Sequence, residues 1–270
     1  MTPDILPLMA GLFGAGMLAG LIAGLLGVGG GIVTIPPLFI ALGVIGVPDA
    51  WHMHMAVATS LVIIVATNMS SVYAHHRKGG VDWAVVKDWW WVLAIMAFIG
   101  SKFAETLKTR ELVFIFAGLA ALLALKMILP LDRFRVKGGL PTGLGRFIGP
   151  AVIGFFSAVM GIGGGSFSVP FLTIHGMPIW RAVGTSSLAG LVISLAGGIG
   201  YLTAGSGITG MPAGTVGFVY LPAAGLMAVA SVITAPLGAK LAHKLPKQVL
   251  SIIFGLFLVL ATCRMLSAVL

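Results

Sequence analysis

The chain has 270 residues, 59% of them hydrophobic and only 9% charged, with a formal net charge of +9. Soluble domains carry about a quarter charged residues. This composition therefore excludes a water-soluble globule, and continuous apolar runs of about 20 residues exclude a β-barrel and indicate bilayer-spanning helices. The single cysteine, Cys263, excludes an intramolecular disulfide and a cysteine-rich metal site, and basic residues confined to short loops argue against nucleic acid as a partner.

Taken in chain order, the opening stretch MTPDILPLMAG has no basic segment, so the first apolar run is expected to be mature structure rather than a signal peptide. Segment A is predicted over 5–27, a short segment B over 35–46, C over 55–74, D over 84–103 and E over 111–130. A polar linker, LDRFRVKGGLPTGLGR, occupies 131–146. The pattern then repeats as A′ at 147–161, B′ at 169–176, C′ at 181–203, D′ at 217–241 and E′ at 248–268. The organisation is a first transmembrane repeat at 1–130, a cytoplasmic linker at 131–146 and a second transmembrane repeat at 147–270. Gly16, Gly20 and Gly24 line one face of segment A, where small residues let helices approach closely. The six tryptophans, Trp51, Trp83, Trp89, Trp90, Trp91 and Trp180, fall at predicted helix ends and are expected as interfacial anchors.

The repeat holds residue by residue. GVGGGIVTIPPL at 27–38 matches GIGGGSFSVPFL at 161–172, AVATS at 56–60 matches AVGTS at 182–186, and GSKFAETL at 100–107 matches GAKLAHKL at 238–245. The distribution of Lys and Arg gives the sense of the duplication. If A and B together cross an even number of times, the halves are inverted and the loop cations divide eleven against three; parallel halves would divide them seven against seven. The positive-inside rule favours inversion, with both termini outside. The fold class expected is thus an all-α integral membrane protein of two inverted five-segment repeats, with broken or re-entrant helices at the Gly-rich loops.

Glycine adopts backbone angles that other residues avoid, and proline suits a first helical turn, so each glycine run is expected to end one helix and let another start near Pro36 or Pro170. Thr34 and Ser168 stand where they would cap those helices. Interrupted backbone is tolerated in a membrane only where protein covers it or it lines a cavity, and a half-helix N-terminus there faces an anion. The candidate substrate-binding residues are Gly29, Gly30, Gly31, Thr34, Thr59 and Ser60 in the first half. Gly163, Gly164, Gly165, Ser166, Ser168, Arg181, Thr185 and Ser186 are those of the second. Capping and back-bonding compete with ligand contact for the Thr and Ser hydroxyls, as anchoring does for Arg181. Asn68 stands as a polar residue within segment C that lines a cavity or binds a neighbouring helix.

His52 and His54 form an HxH on a predicted outer loop, which leaves a membrane sensor or metal-binding protein as one alternative and a channel-like anion pathway as another. Ser166 with His175 gives no spacing that sets a base beside a nucleophile, so no enzyme is indicated. No cofactor is expected.

In GxGGGxxxxP followed by an apolar run, and in AVATS and AVGTS, each motif present in both halves, the chain resembles the sulfite exporter TauE/SafE family. YAHHRKGGVDW at 73–83 and GAKLAHKLP at 238–246 add to the likeness, which covers nearly the whole length. The resemblance implies a multi-pass transporter of the bacterial or archaeal cytoplasmic membrane, moving sulfite, sulfonates such as sulfoacetate, or another small organosulfur anion. Its partners would be that anion and the lipid bilayer, with a homo-oligomer, and H+ or Na+ as coupling ion, left open. The family includes importers and exporters, so direction does not carry over.

Overall fold

The computed structural model describes residues 5–26, 30–128, 139–205, 207–208, 210–241 and 247–269. In the first half it shows α1 (Ile5–Leu26), α2 (Gly31–Val44), α3 (His52–His76), α4 (Trp83–Glu105) and α5 (Thr109–Ile128). The second half contains α6 (Gly145–Met160), α7 (Gly165–Ile174), α8 (Ile179–Thr203), α9 (Leu221–Leu241) and α10 (Lys247–Ser267). Among the described residues five helical segments are long and apolar enough to cross a bilayer: Leu6–Leu25, Asp49–His76, Trp83–Glu105, Ile179–Thr203 and Leu221–Gly238. The chain is an all-helical, multi-pass membrane protein. Among the described residues the strand structure is one hairpin of two-residue strands, β1 (Thr215–Val216) with β2 (Val219–Tyr220), where segment D′ was expected to begin.

The short helices start earlier than the prolines suggested. Helix α2 begins at Gly31 and α7 at Gly165, because Gly30 and Gly164 cap them in the left-handed region at φ 72° and 74°. Pro36, Pro37 and Pro170 lie inside these helices, and Thr34 and Ser168 are helical residues rather than caps. With 14 and 10 residues, the two rise about 21 and 15 Å. Neither spans a hydrocarbon core of about 30 Å.

Helix pairing exchanges partners between the halves. Helix α1 packs along α9, and its counterpart α6 packs along α4. In the first pair Ser231 donates to Gly16 O and Thr234 to Met17 O, both at 2.8 Å. A Cβ on Gly20 would collide with Ser231, and one on Gly238 with Leu21. The same register recurs in the other pair, with Gly154 against Leu93 and Gly100 against Phe155. Segment A therefore uses Gly16 and Gly20 for close packing, as their spacing predicted. Gly20→Val is expected to cost about 3 kcal/mol through overpacking, read as a lower melting temperature in detergent.

Helices α3 and α8 run antiparallel through the centre. Ser71 bonds Ser187 at 2.9 Å, Asn68 abuts Gly190, and Leu61 abuts Gly197, so numbers fall on one helix as they rise on the other. Trp83, Trp90, Trp91 and Trp180 are exposed, but Trp89 is only 4% exposed. It packs edge-on against Phe171. It is a core residue, a correction to its expected role as an anchor, because position 89 faces α7 rather than lipid.

Candidate functional site

The start of α2 touches the second glycine turn. A Cβ on Gly31 would lie 2.6 Å from the Gly161 carbonyl oxygen and 3.1 Å from Ile162 Cα. Only glycine permits that approach. The second turn is built by Gly161 and Gly164, both at positive φ, with Ile162 N–H donating to Ser157 O at 3.0 Å and Gly164 N–H to Ile162 O at 2.6 Å. Residues 161–165 are buried throughout. Gly29 lies outside the described residues. The opening amides of α2 and α7 have no partner within their own helices, and both helix N-termini lie at these turns.

Equivalent hydroxyls have different surroundings in the two halves. In the first half, Thr34 donates to Gly31 O at 2.9 Å and pairs with Ser60 Oγ at 2.8 Å, while Ser60 donates to Gly161 O at 2.9 Å. In the second, the corresponding Ser168 and Ser186 are fully buried, and their hydroxyls have no partner. Ser157, Ser166 and the Asn68 amide nitrogen are also buried and unpaired. Asn68 Nδ2 stands 3.1 Å from where a Gly163 Cβ would be, and Ser157 Oγ 3.7 Å from that of Gly164. Neutral hydrogen-bonding groups thus gather around the second turn, while the described Lys, Arg, Asp and Glu lie at helix ends or in connecting loops.

Other expected site residues are engaged elsewhere. Thr59 Oγ1 accepts the Tyr220 N–H at 3.0 Å, and Thr185 Oγ1 accepts the Asp82 N–H at 2.9 Å. Each threonine thereby fixes the start of a fourth helix in the opposite half. Arg181 shares the Asp82 site with Thr185, through an ion pair of 2.9 Å. The pair is part-exposed, so Arg181→Ala is expected to cost about 1 kcal/mol. Melting curves at low and high salt test this, since screening shrinks the difference. His52 and His54 are buried, not loop residues, and bond the carbonyls of Val47 and Leu107 at 2.6 and 2.9 Å. Among the described residues no three His, Cys, Asp or Glu side chains group to hold a metal. A cavity of about 860 Å³ lies away from the turns, lined in part by Trp51, His52, Glu105, Lys108, Arg110 and Arg264.

Sequence reasoning left Ser157 unmarked and left Asn68 between lining a cavity and binding a neighbouring helix. The available signal was polarity alone: Ser157 stands four residues before Gly161, and Asn68 interrupts an apolar helix.

Paired half-length helices that start at buried glycines, enclosed by membrane-spanning helices, make this a multi-pass membrane protein. The model of the sulfite exporter TauE/SafE family matches residues 12–265, and the chain belongs to that family. It is 37% identical over 250 residues to a probable membrane transporter protein of Haemophilus influenzae, covering 93% of this chain and 95% of that one. A probable membrane transporter protein of Methanocaldococcus jannaschii is 28% identical over 257 residues, 91% of this chain and 93% of its own. The Bacillus subtilis probable membrane transporter protein YdhB is 28% identical over 239 residues, 86% of this chain and 90% of its own. No solved structure matches.

Proposed function

We propose that the protein is a secondary transporter of a small sulfur-containing anion, sulfite or an organosulfonate such as sulfoacetate, in the bacterial or archaeal cytoplasmic membrane. The observation that carries this reading is the set of buried, unpaired groups on Asn68, Ser157, Ser166 and Ser168 about the second glycine turn, with the Ser186 hydroxyl on α8 likewise buried and unpaired. A buried polar group left unsatisfied costs about 1–3 kcal/mol. An oxyanion with three acceptor oxygens satisfies several such donors at once. Each helix N-terminus carries about +0.5 of a charge, so α2 and α7 together match a monoanion. No desolvated Lys or Arg is needed.

Alternating access follows from the same arrangement. The antiparallel run of the counterpart helices α3 and α8 supports inverted halves, as does the uneven division of Lys and Arg that an inverted topology would give. In inverted repeats, motion of one half against the other exposes a central site to each side in turn. The closed packing of residues 161–165 supports reading this conformation as occluded.

A melting-temperature panel on the purified protein tests the substrate class, since a ligand of the folded state alone raises the transition. Sulfite and alkylsulfonates are expected to raise it, and acetate, with two oxygens, to do so much less. Equal responses to acetate and methanesulfonate would contradict the assignment.

A further inference from the structure

The cavity of about 860 Å³ opens where the end of α2, the start of α3, the end of α4, the start of α5 and the end of α10 meet. Its lining includes Lys108, Arg110 and Arg264. All three are exposed, so holding charge there carries no desolvation cost. Among the described residues the ion pairs join Asp49 to His52, Glu105 to Lys102, Asp88 to Arg146 and Asp82 to Arg181, which leaves these three cations without a carboxylate partner. The acids at this end are engaged or turned outward. Lys102 holds Glu105 at 3.2 Å, and Asp49 is fully exposed. Glu111 accepts the Lys108 N–H at 2.8 Å. The Arg110 guanidinium lies 5.6 Å from the Phe114 ring centroid, a contact that leaves its N–H edge free for an acceptor. The opening amides of α5, at the lining residues Thr109 and Arg110, have no partner within the helix.

Membrane topology does not account for cations at this place. In the inverted arrangement the loop cations divide eleven against three, and the three are Lys102, Lys108 and Arg110. They stand on the face that positive-inside retention depletes. Yet Lys108 and Arg110 line this one cavity, Lys102 is paired with its Glu105, and Arg264 joins them from the last turn of α10. Apolar walls, among them Phe39, Ile40 and Trp51, keep the local dielectric low and so strengthen the field of these charges in the mouth.

The geometry points to an oxyanion-binding vestibule on the extracytoplasmic side, separate from the buried site. Guanidinium groups offer paired N–H donors that match sulfonate or phosphate oxygens. The volume admits an organosulfonate with its water, or the phosphate of a lipid headgroup, which presents the same chemistry. The vestibule's role in capturing the transported anion rests on the anion-transport reading. Helix α2 starts at the second glycine turn and rises about 21 Å to an end that lines the cavity. The vestibule and the buried site thus lie at the two ends of one half-helix. Anion gathered here is concentrated at the outer mouth without any cation being placed inside the membrane.

The test is a calorimetric titration of sulfite into the purified full-length protein in neutral, lipid-free detergent. Two binding events are expected. The outer one should weaken at least about tenfold between about 20 and about 200 mM NaCl, because exposed charges are screened, whereas the buried one, made by neutral donors, should change little. The triple variant Lys108→Gln/Arg110→Gln/Arg264→Gln is expected to lose the salt-sensitive event and keep the other. Lys108→Arg/Arg264→Lys keeps the charges and is expected to keep both, which separates charge from any loosening of the fold. No salt-sensitive event in the wild type, or one that persists in the triple variant, would overturn the vestibule and leave the buried site untouched. A salt-sensitive event alone, lost in the triple variant, would support the vestibule and overturn the buried site. Added phosphatidylglycerol separates the two sources of oxyanion. Sulfite binding that withstands the lipid supports capture of a soluble anion. Displacement of sulfite by the lipid, with a higher melting temperature in the wild type but not in the triple variant, would support the oxyanion site and overturn its capture role.

Discussion

Gly190→Ala is expected to abolish anion binding and to cost about 3 kcal/mol of stability. A methyl group there would collide with the Gly163 carbonyl oxygen and lie 2.6 Å from Asn68 Nδ2. Neither partner yields cheaply. Gly163 is fixed in the turn between two positive-φ glycines, and Asn68 is buried on the central helix. The added carbon would push α8 off the second turn and spread the donors that surround it. Gly198, on the same helix, has nothing within 4 Å of its Cβ position. Gly198→Ala is therefore neutral or stabilising by up to about 1 kcal/mol. Melting curves and sulfite titrations of the two variants, side by side, make the comparison. A Gly190→Ala protein as stable and as responsive to sulfite as Gly198→Ala would contradict the close approach.

The second large effect separates binding from stability. Ser168→Ala and Ser186→Ala are each expected to weaken sulfite or sulfonate binding at least tenfold, about 1.4 kcal/mol. The double variant is expected to lose binding altogether. The empty protein should be as stable as the wild type or more so, because each substitution removes a buried hydroxyl that has no partner. Ser60 holds the position equivalent to Ser186, yet its hydroxyl ties α3 to Gly161. Ser60→Ala is expected to cost about 1–2 kcal/mol. Equivalent positions thus give opposite stability changes. Destabilisation of similar size in Ser186→Ala and Ser60→Ala would show that Ser186 is structural.

Much of the architecture was legible in the sequence, because glycine runs and apolar length act locally. Segments C, D and C′ were placed within three residues of α3, α4 and α8. The starts of α2 and α7 were misplaced by four residues each. Proline marked a first helical turn in the sequence, but a left-handed glycine began the helix sooner. Trp89 was misassigned because adjacent tryptophans on a helix point in different directions, and only the position of α7 decides which is covered.

The candidate site was legible as a region but not as a set of donors. AVATS and AVGTS read alike, so no local signal told Ser60 from Ser186. Ser60 finds its partners on another helix and in a turn 101 residues away, whereas the Ser186 hydroxyl has none. Thr59 and Thr185 likewise are satisfied by amides 161 and 103 residues distant. Hydroxyls differ in function here through tertiary pairing, which a one-dimensional pattern does not carry. Ser157 escaped notice because a lone serine in an apolar helix acquires meaning only once it stands beside Gly164.

Counterflow in proteoliposomes tests the central claim most directly. Vesicles loaded with unlabelled sulfite are diluted into trace labelled sulfite. An alternating-access carrier with one anion site returns to the outside carrying label, so labelled sulfite is expected to rise transiently above equilibrium inside. The overshoot should be lost in the Ser168→Ala/Ser186→Ala double variant. Simple equilibration without overshoot, with an accompanying anion conductance and no difference between the wild type and that variant, would contradict both alternating access and the site.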